Sequence, residues 1–149
     1  LKLVKRLIAV GGDTVAMKDG VLLLNGQVQS ESYVKHTDPG GDDPHPWMAW
    51  HSQYLVDSVG RATYRPTRDN WGPLVIPEDR YFMLGDNRDT SLDSRYWGLL
   101  ERWRLEGRTS IIYFSFCHLM ILTPRGQSHL LFLSTRIWRL LEVNLVVKK

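Results

Sequence analysis

Apolar and polar residues alternate along this chain in short runs broken by turn signals, without the sustained 3.6-residue rhythm of helices. Residues 1–10, LKLVKRLIAV, read as a β-strand with Lys5 and Arg6 in its middle. The strand ends at Gly11-Gly12-Asp13, a turn that draws on glycine's backbone freedom. Residues 15–18 and 21–24 flank Asp19-Gly20, and Asn25-Gly26 precedes Gln27-Val28-Gln29. Both dipeptides are strong two-residue hairpin signals, so this part predicts an antiparallel meander. Residues 53–56 and 62–64 read as two more strands joined around Asp57 to Gly60. Residues 66–77, PTRDNWGPLVIP, are extended; their prolines exclude a helix and confine any strand to a sheet edge. Residues 80–84 form a strand, residues 99–106 stay open between types, and residues 108–116, RTSIIYFSF, carry the strongest strand pattern. The apolar stretch 119–133 is broken at 123–126, and residues 134–147 fit a strand or a short amphipathic helix. The expected class is all-β: mainly antiparallel sheets with irregular loops and at most a short helix.

Residues 33–50 break the pattern. They are rich in Pro, Gly and Asp and read as an irregular surface insertion, with Trp47, Met48 and Trp50 anchoring it or forming an exposed apolar lip. His36, His45 and His51 lie nearby with Asp38, Asp42 and Asp43, but their spacing fits no zinc pattern, and they read as solvated loop histidines. No metal and no cofactor is expected. A length of 149 residues suits one domain with a core of its own. The net charge of +3 is spread along the chain without Lys/Arg blocks, so no nucleic-acid partner follows. Cys117 is the only cysteine, which excludes an internal disulfide; in its apolar run it reads as a buried structural thiol. No uninterrupted apolar run reaches the roughly 18–20 residues of a membrane span, and no signal peptide is visible. The chain starts at Leu1, already in strand pattern, and the expectation is that its start lies further upstream.

Against this background residues 85–98, GDNRDTSLDSRYWG, stand out. Three Asp, two Arg, an Asn, two Ser and a Thr lie between apolar segments. A polar loop held between packable segments often carries a site, although the same residues also serve as turn formers and local ion pairs. A calcium loop counted from Asn87 fails, because Leu92 and Gly98 stand where Gly and Glu are needed. Lys5, with apolar neighbours, could be desolvated toward a neutral amine and so a general base; simple alternation would point it outward instead. Ser91 and Ser94 could be a nucleophile, an orienting group or ordinary loop serines.

Taken together these segments resemble the bacterial type I signal peptidases, membrane-anchored serine proteases with a serine–lysine dyad. GDNRDTSLDSRYWG is similar to the family motif GDNRDNSxDSRYWG, with Thr90 in place of Asn. VKRLIAVGGD resembles the lysine-bearing KRVxGxPGD, with Gly11 where Pro is usual. NWGPLVIPEDRYFMLGDN and GRTSIIYFSF resemble the run into the loop and the strand after it. The resemblance covers most of residues 1–116 and is thin over residues 33–50 and the last thirty.

The resemblance implies that Lys5 is the general base and that Ser91 orients its amine. It implies that Asp93 and Arg95 support the site as a pair, Arg95 keeping Asp93 off Lys5. Gly85, Asp86, Asn87, Arg88 and Ser94 would build the loop, and Arg6 would pair with one of its acids. A carboxylate touching the lysine would raise its pKa, whereas a hydroxyl orients it without restoring the charge. The family's nucleophile lies in a Ser-Met-x-Pro motif upstream of the lysine strand, and no Ser-Met pair occurs here. The chain is therefore read as residues 1–149 of a catalytic domain without its nucleophile segment and anchor, inactive or nearly so by itself. Implied partners are preprotein signal peptides with small residues before the cleavage site, and the membrane surface through the missing N-terminal anchor. The implied location is the bacterial plasma membrane, extracytoplasmic side. Rival readings are a self-cleaving repressor-type protease, which SRYWG and NWGP argue against, a non-catalytic peptide-binding relative, and a gene remnant without a stable fold.

Overall fold

The computed structural model describes residues 2–38, 40–57 and 60–108, and the backbone of strands within 116–122, 128–134 and 144–148. Its strands are β1 (Lys2–Ala9), β2 (Thr14–Lys18), β3 (Val21–Leu24), β4 (Gln27–Val28), β5 (Trp71–Val75), β6 (Arg80–Leu84), β7 (Leu100–Glu101), β8 (Leu105–Arg108), β9 (Phe116–Leu122), β10 (Ser128–Ser134) and β11 (Asn144–Lys148). A four-residue helix, α1 (Ser94–Trp97), and 3-10 segments at Pro46–Gln53 and Arg102–Arg104 complete the described elements. The all-β reading holds.

One sheet runs β4-β3-β2-β5 and a second β7-β6-β1-β11-β8, while β9 and β10 form a two-stranded sheet. All the described strand pairs are antiparallel. Asp19-Gly20 and Asn25-Gly26 both take positive φ, as two-residue hairpin turns of this twist demand. The proline-bearing β5 sits at a sheet edge, as its sequence requires.

Strand β6 is central to the packing. Phe82 and Leu84 join Val15, Met17, Leu22, Met48, Trp71, Leu74 and Ile76 in the main core, while Met83 turns the other way to pack with Leu100. A strand buried on both faces cannot slip by one residue without exposing one of these sets. This fixes where β6 ends, and Gly85 follows it directly.

Two expectations need correction. Residues 53–56 and 62–64 are not a strand pair. Pro46 opens a 3-10 segment through residue 53, with His45 Nδ1 accepting from the Trp47 N–H at 3.2 Å. The chain beyond it bonds to β5: Val75 N–H donates to Tyr54 O and Val56 N–H to Pro73 O. Residues 60–63 close a turn through Thr63 N–H to Gly60 O. The histidines are not uniformly solvated either; His51 is fully buried. The residue 33–50 segment is anchored by buried Met48 and half-buried Trp50, leaving only Trp47 as a lip. Residues 99–106 resolve into β7, the short 3-10 turn and the start of β8. The strand expected over 108–116 and the break at 123–126 lie largely or wholly outside the described residues, as do the Cys117 side chain and residues 135–143; residues 144–148 are strand.

Candidate active site

Lys5 and Ser91, 86 residues apart in sequence, meet where β1 passes the loop after β6. Lys5 Nζ donates to Ser91 Oγ at 2.5 Å. Burial pushes the amine's pKa down; the Asp93 carboxylate opposes this, the Arg95 guanidinium reinforces it, and Asp86 opposes it. Lys5 is half-buried, because the loop folds over the amine that β1 would otherwise expose.

Gly85 makes that approach possible. A Cβ at this position would lie 2.0 Å from Ser91 Oγ and 3.3 Å from Lys5 Nζ. The residue is required for close packing and not for a left-handed backbone.

Beneath the pair, Asp93 and Arg95 are both fully buried. Arg95 Nε donates to Asp93 Oδ1 at 2.9 Å and Nη2 to Oδ2 at 2.8 Å. Asp93 also accepts from the Gly85 N–H at 3.1 Å and, as N-cap of α1, from the Arg95 N–H at 3.2 Å. Its oxygens are thus committed, and the sequence expectation that Arg95 draws Asp93 away from Lys5 fits this geometry. Arg95 Nη2 further donates to Arg88 O at 2.7 Å, tying the loop to itself. Ser94 Oγ accepts from the Met83 N–H at 2.9 Å, which binds the start of α1 to β6 and occupies that hydroxyl structurally.

The outer wall is built from ion pairs. Arg6 grips Asp86 with Nε and Nη2, each at 2.9 Å, and its guanidinium stacks 3.4 Å from the Tyr33 ring. Arg88 donates to both oxygens of Glu31 and, through Nε, to Gly85 O at 3.1 Å. Asn87 exchanges hydrogen bonds with Thr37, and Lys35 pairs with Asn87 in a parallel bridge. The sequence reading missed Glu31, Tyr33 and His51. Glu31 meets Arg88, Tyr33 meets Arg6 and His51 meets the Arg95 carbonyl across gaps of more than 25 residues, for which no local pattern exists; the Tyr33 hydroxyl bond to Glu31 is local.

Tyr64 accepts from the Gly72 N–H at 2.8 Å, and its hydroxyl faces His51 Nδ1 at 3.4 Å. His51 Nε2 lies 2.9 Å from Arg95 O, which also accepts from Trp50 Nε1. Burial pushes His51 down to about 4, with the Arg95 carbonyl opposing and the Arg95 charge reinforcing. An unfolded chain takes up this proton near pH 6.5, the folded one only near 4. Stability from this residue is therefore complete above the unfolded value and falls as pH drops through the window between them. We expect a loss of about 2 kcal/mol between pH 7 and pH 5 in urea unfolding, and a flat profile in His51→Gln. An equally steep decline in His51→Gln would assign the effect elsewhere. His36 bonds to Asp89 at 2.8 Å and His45 caps the 3-10 segment, so the three histidines do not converge.

A sequence model of a family described as signal peptidase, peptidase S26, matches residues 1–114. Signal peptidase I of Bacillus licheniformis is 37% identical over 114 residues, covering 76% of this chain and 51% of that protein. Signal peptidase I S of Bacillus subtilis is 32% identical over 114 residues, 76% of this chain and 52% of its own length. A probable signal peptidase I-2 of Synechocystis is 27% identical over 135 residues, 91% and 49% respectively. The chain thus spans about half the length of these relatives. A solved signal peptidase I from Enterococcus faecalis V583 shares 32% identity over 66% of this chain and 74% of its own, with a TM-score of 0.40.

Proposed function

The chain belongs to the signal peptidase, peptidase S26 family, and on that footing we propose that it carries the general base of a serine endopeptidase that removes signal peptides from exported preproteins. The observation that carries this reading is the half-buried Lys5 amine, lowered in pKa by desolvation and oriented by Ser91 Oγ at 2.5 Å. A neutral amine takes the proton of an attacking serine hydroxyl as the peptide carbonyl is attacked, and the ammonium returns it to the leaving amine. Water then completes hydrolysis of the acyl-enzyme. Neither described serine of the loop is assigned the nucleophile's part. Ser91 orients the lysine, and Ser94 is tied to the Met83 N–H. With no Ser-Met pair in the sequence, residues 1–149 alone are proposed to be inactive or nearly so.

The substrate's small residues before the scissile bond would sit in shallow apolar pockets of an extended-peptide site. The proposed place of action is the extracytoplasmic face of the bacterial plasma membrane, reached through a membrane anchor. No helix among the described residues is long and apolar enough to cross a membrane. Of the two tryptophans in the 33–50 segment, Trp47, 63% exposed, is the one free to meet lipid headgroups, since Trp50 donates to Arg95 O.

The test is a pH profile of preprotein cleavage by the native protein that contains this chain. The rate should climb as Lys5 loses its proton, with a midpoint below the ordinary lysine value, and the new N-terminus should follow a small residue. A midpoint at or above that ordinary value, or cuts indifferent to the preceding residue, would sink the reading.

A further inference from the structure

Glu31 lies in the connection after β4, outside every segment in which the sequence reading placed site residues. Its carboxylate is nearly closed off: side-chain exposure is 9% for Glu31 and 2% for Arg88. Arg88 Nη1 donates to Glu31 Oε2 at 2.8 Å and Nη2 to Oε1 at 2.5 Å, a two-bond fork of the kind that fixes orientation as well as distance. The third nitrogen of that guanidinium, Nε, reaches Gly85 O at 3.1 Å. Gly85 is the residue against which both Ser91 Oγ and Lys5 Nζ are packed. Tyr33 holds the far side by donating its hydroxyl to Glu31 Oε1 at 2.7 Å, with its ring under the Arg6 guanidinium that grips Asp86.

We propose that Glu31 is a positioning residue of the Lys5–Ser91 pair, acting through Arg88 on the Gly85 carbonyl. The inference rests on the base reading of Lys5. Arg88 is aimed at Gly85 O only while its other nitrogens are held by the Glu31 fork. Released from it, the guanidinium can rotate toward water, and the Gly85 backbone can move off the lysine. Water then reaches Nζ and restores the solvation that burial had removed.

The charged groups that face Lys5 from the loop are Asp93, Arg95 and Asp86; Glu31 is not among those acting on the amine directly. A direct effect of deleting the Glu31 charge would lower the lysine's proton affinity, since an anion is lost. Loss of positioning raises it. The sign of the change therefore separates the two.

The experiment is a pH titration of the Lys5 side chain by 13C NMR in lysine-labelled protein, the signal being assigned by its disappearance in Lys5→Arg. In Glu31→Gln the Lys5 midpoint should move upward by about one pH unit toward the value of a free lysine. Tyr33→Phe removes only the hydroxyl bond to the carboxylate and should move the midpoint the same way by less. It supplies the answer if Glu31→Gln does not fold. Glu31→Asp, which keeps the charge, should fall between wild type and Glu31→Gln. A normal wild-type midpoint would overturn both the base reading and this inference. A lowered wild-type midpoint left in place, or shifted downward, in folded Glu31→Gln or Tyr33→Phe would overturn the positioning role alone. A fall in melting temperature without movement of the Lys5 signal likewise assigns Glu31 to stability only.

Discussion

Lys5→Ala is expected to reduce preprotein cleavage by the native protein to background, a loss of roughly 10^4-fold or more by analogy with other cooperating nucleophile–base sets. The reason is that the proposed base has no substitute near it among the described residues. Asp93 is held by Arg95 and by two backbone N–H groups, and His51 has its imidazole between Tyr64 and the Arg95 carbonyl. Lys5→Arg should be as inactive, because a guanidinium stays protonated throughout the working pH range. The fold should survive the change to alanine. Burial disfavours the lysine's charged form, so removing the amine relieves a cost and leaves Ser91, a neutral hydroxyl, to bond with water. Steady-state cleavage measured beside thermal unfolding checks this separation. Substantial turnover by Lys5→Arg would remove the lysine from the mechanism.

The opposite pattern is expected at Asp93. Asp93→Ala strips the carboxylate from an arginine with no exposed surface, and leaves a buried charge with carbonyl oxygens and the Tyr96 ring but no anion bonded to it. Breaking a buried pair in this way costs about 3–5 kcal/mol, a large share of the 5–15 kcal/mol that typically holds a domain together. The Gly85 N–H loses its acceptor and α1 loses its N-cap in the same step. Replacing the pair together by Asp93→Leu with Arg95→Met should recover much of the loss, since the Coulombic gain of a buried pair is largely offset by desolvation. Urea unfolding of the three proteins is the measurement. A single-substitution loss below about 1 kcal/mol would mean that water reaches Arg95 and that the pair is not the keystone of the loop.

The difference between what the chain's pattern discloses and what it conceals follows sequence distance. Hairpin turns at Asp19-Gly20 and Asn25-Gly26 are local events and are legible as such. So is β6, whose apolar run is buried on both faces, and so is the polar loop that follows it. The joining of residues 53–56 and 62–64 as two strands failed because Pro46 and the His45 cap start a 3-10 segment, and because β5 takes residues 54–56 as its own partner. Lys5 was undecidable from its neighbours, since what buries it is Ser91 and Gly85, some eighty residues later. Glu31 and His51 gave no sign for the same reason: their partners, Arg88 and the Arg95 carbonyl, are brought to them by the fold. The family resemblance supplied the pairing of Lys5 with Ser91 but not these supports.

Strand β1 has a neighbour on each side, β6 along residues 6–9 and β11 along residues 2–6, with Leu145 opposite Lys5. The backbone beside the lysine is thus already hydrogen-bonded by the chain's own C-terminal strand. A peptide seeking to add to β1 at this position meets a competitor strand of the same chain already paired there. It must outcompete that strand or approach Lys5 from above the sheet. In the second case recognition falls to side-chain pockets, and discrimination among preproteins would be read from their residue sizes and not from main-chain register.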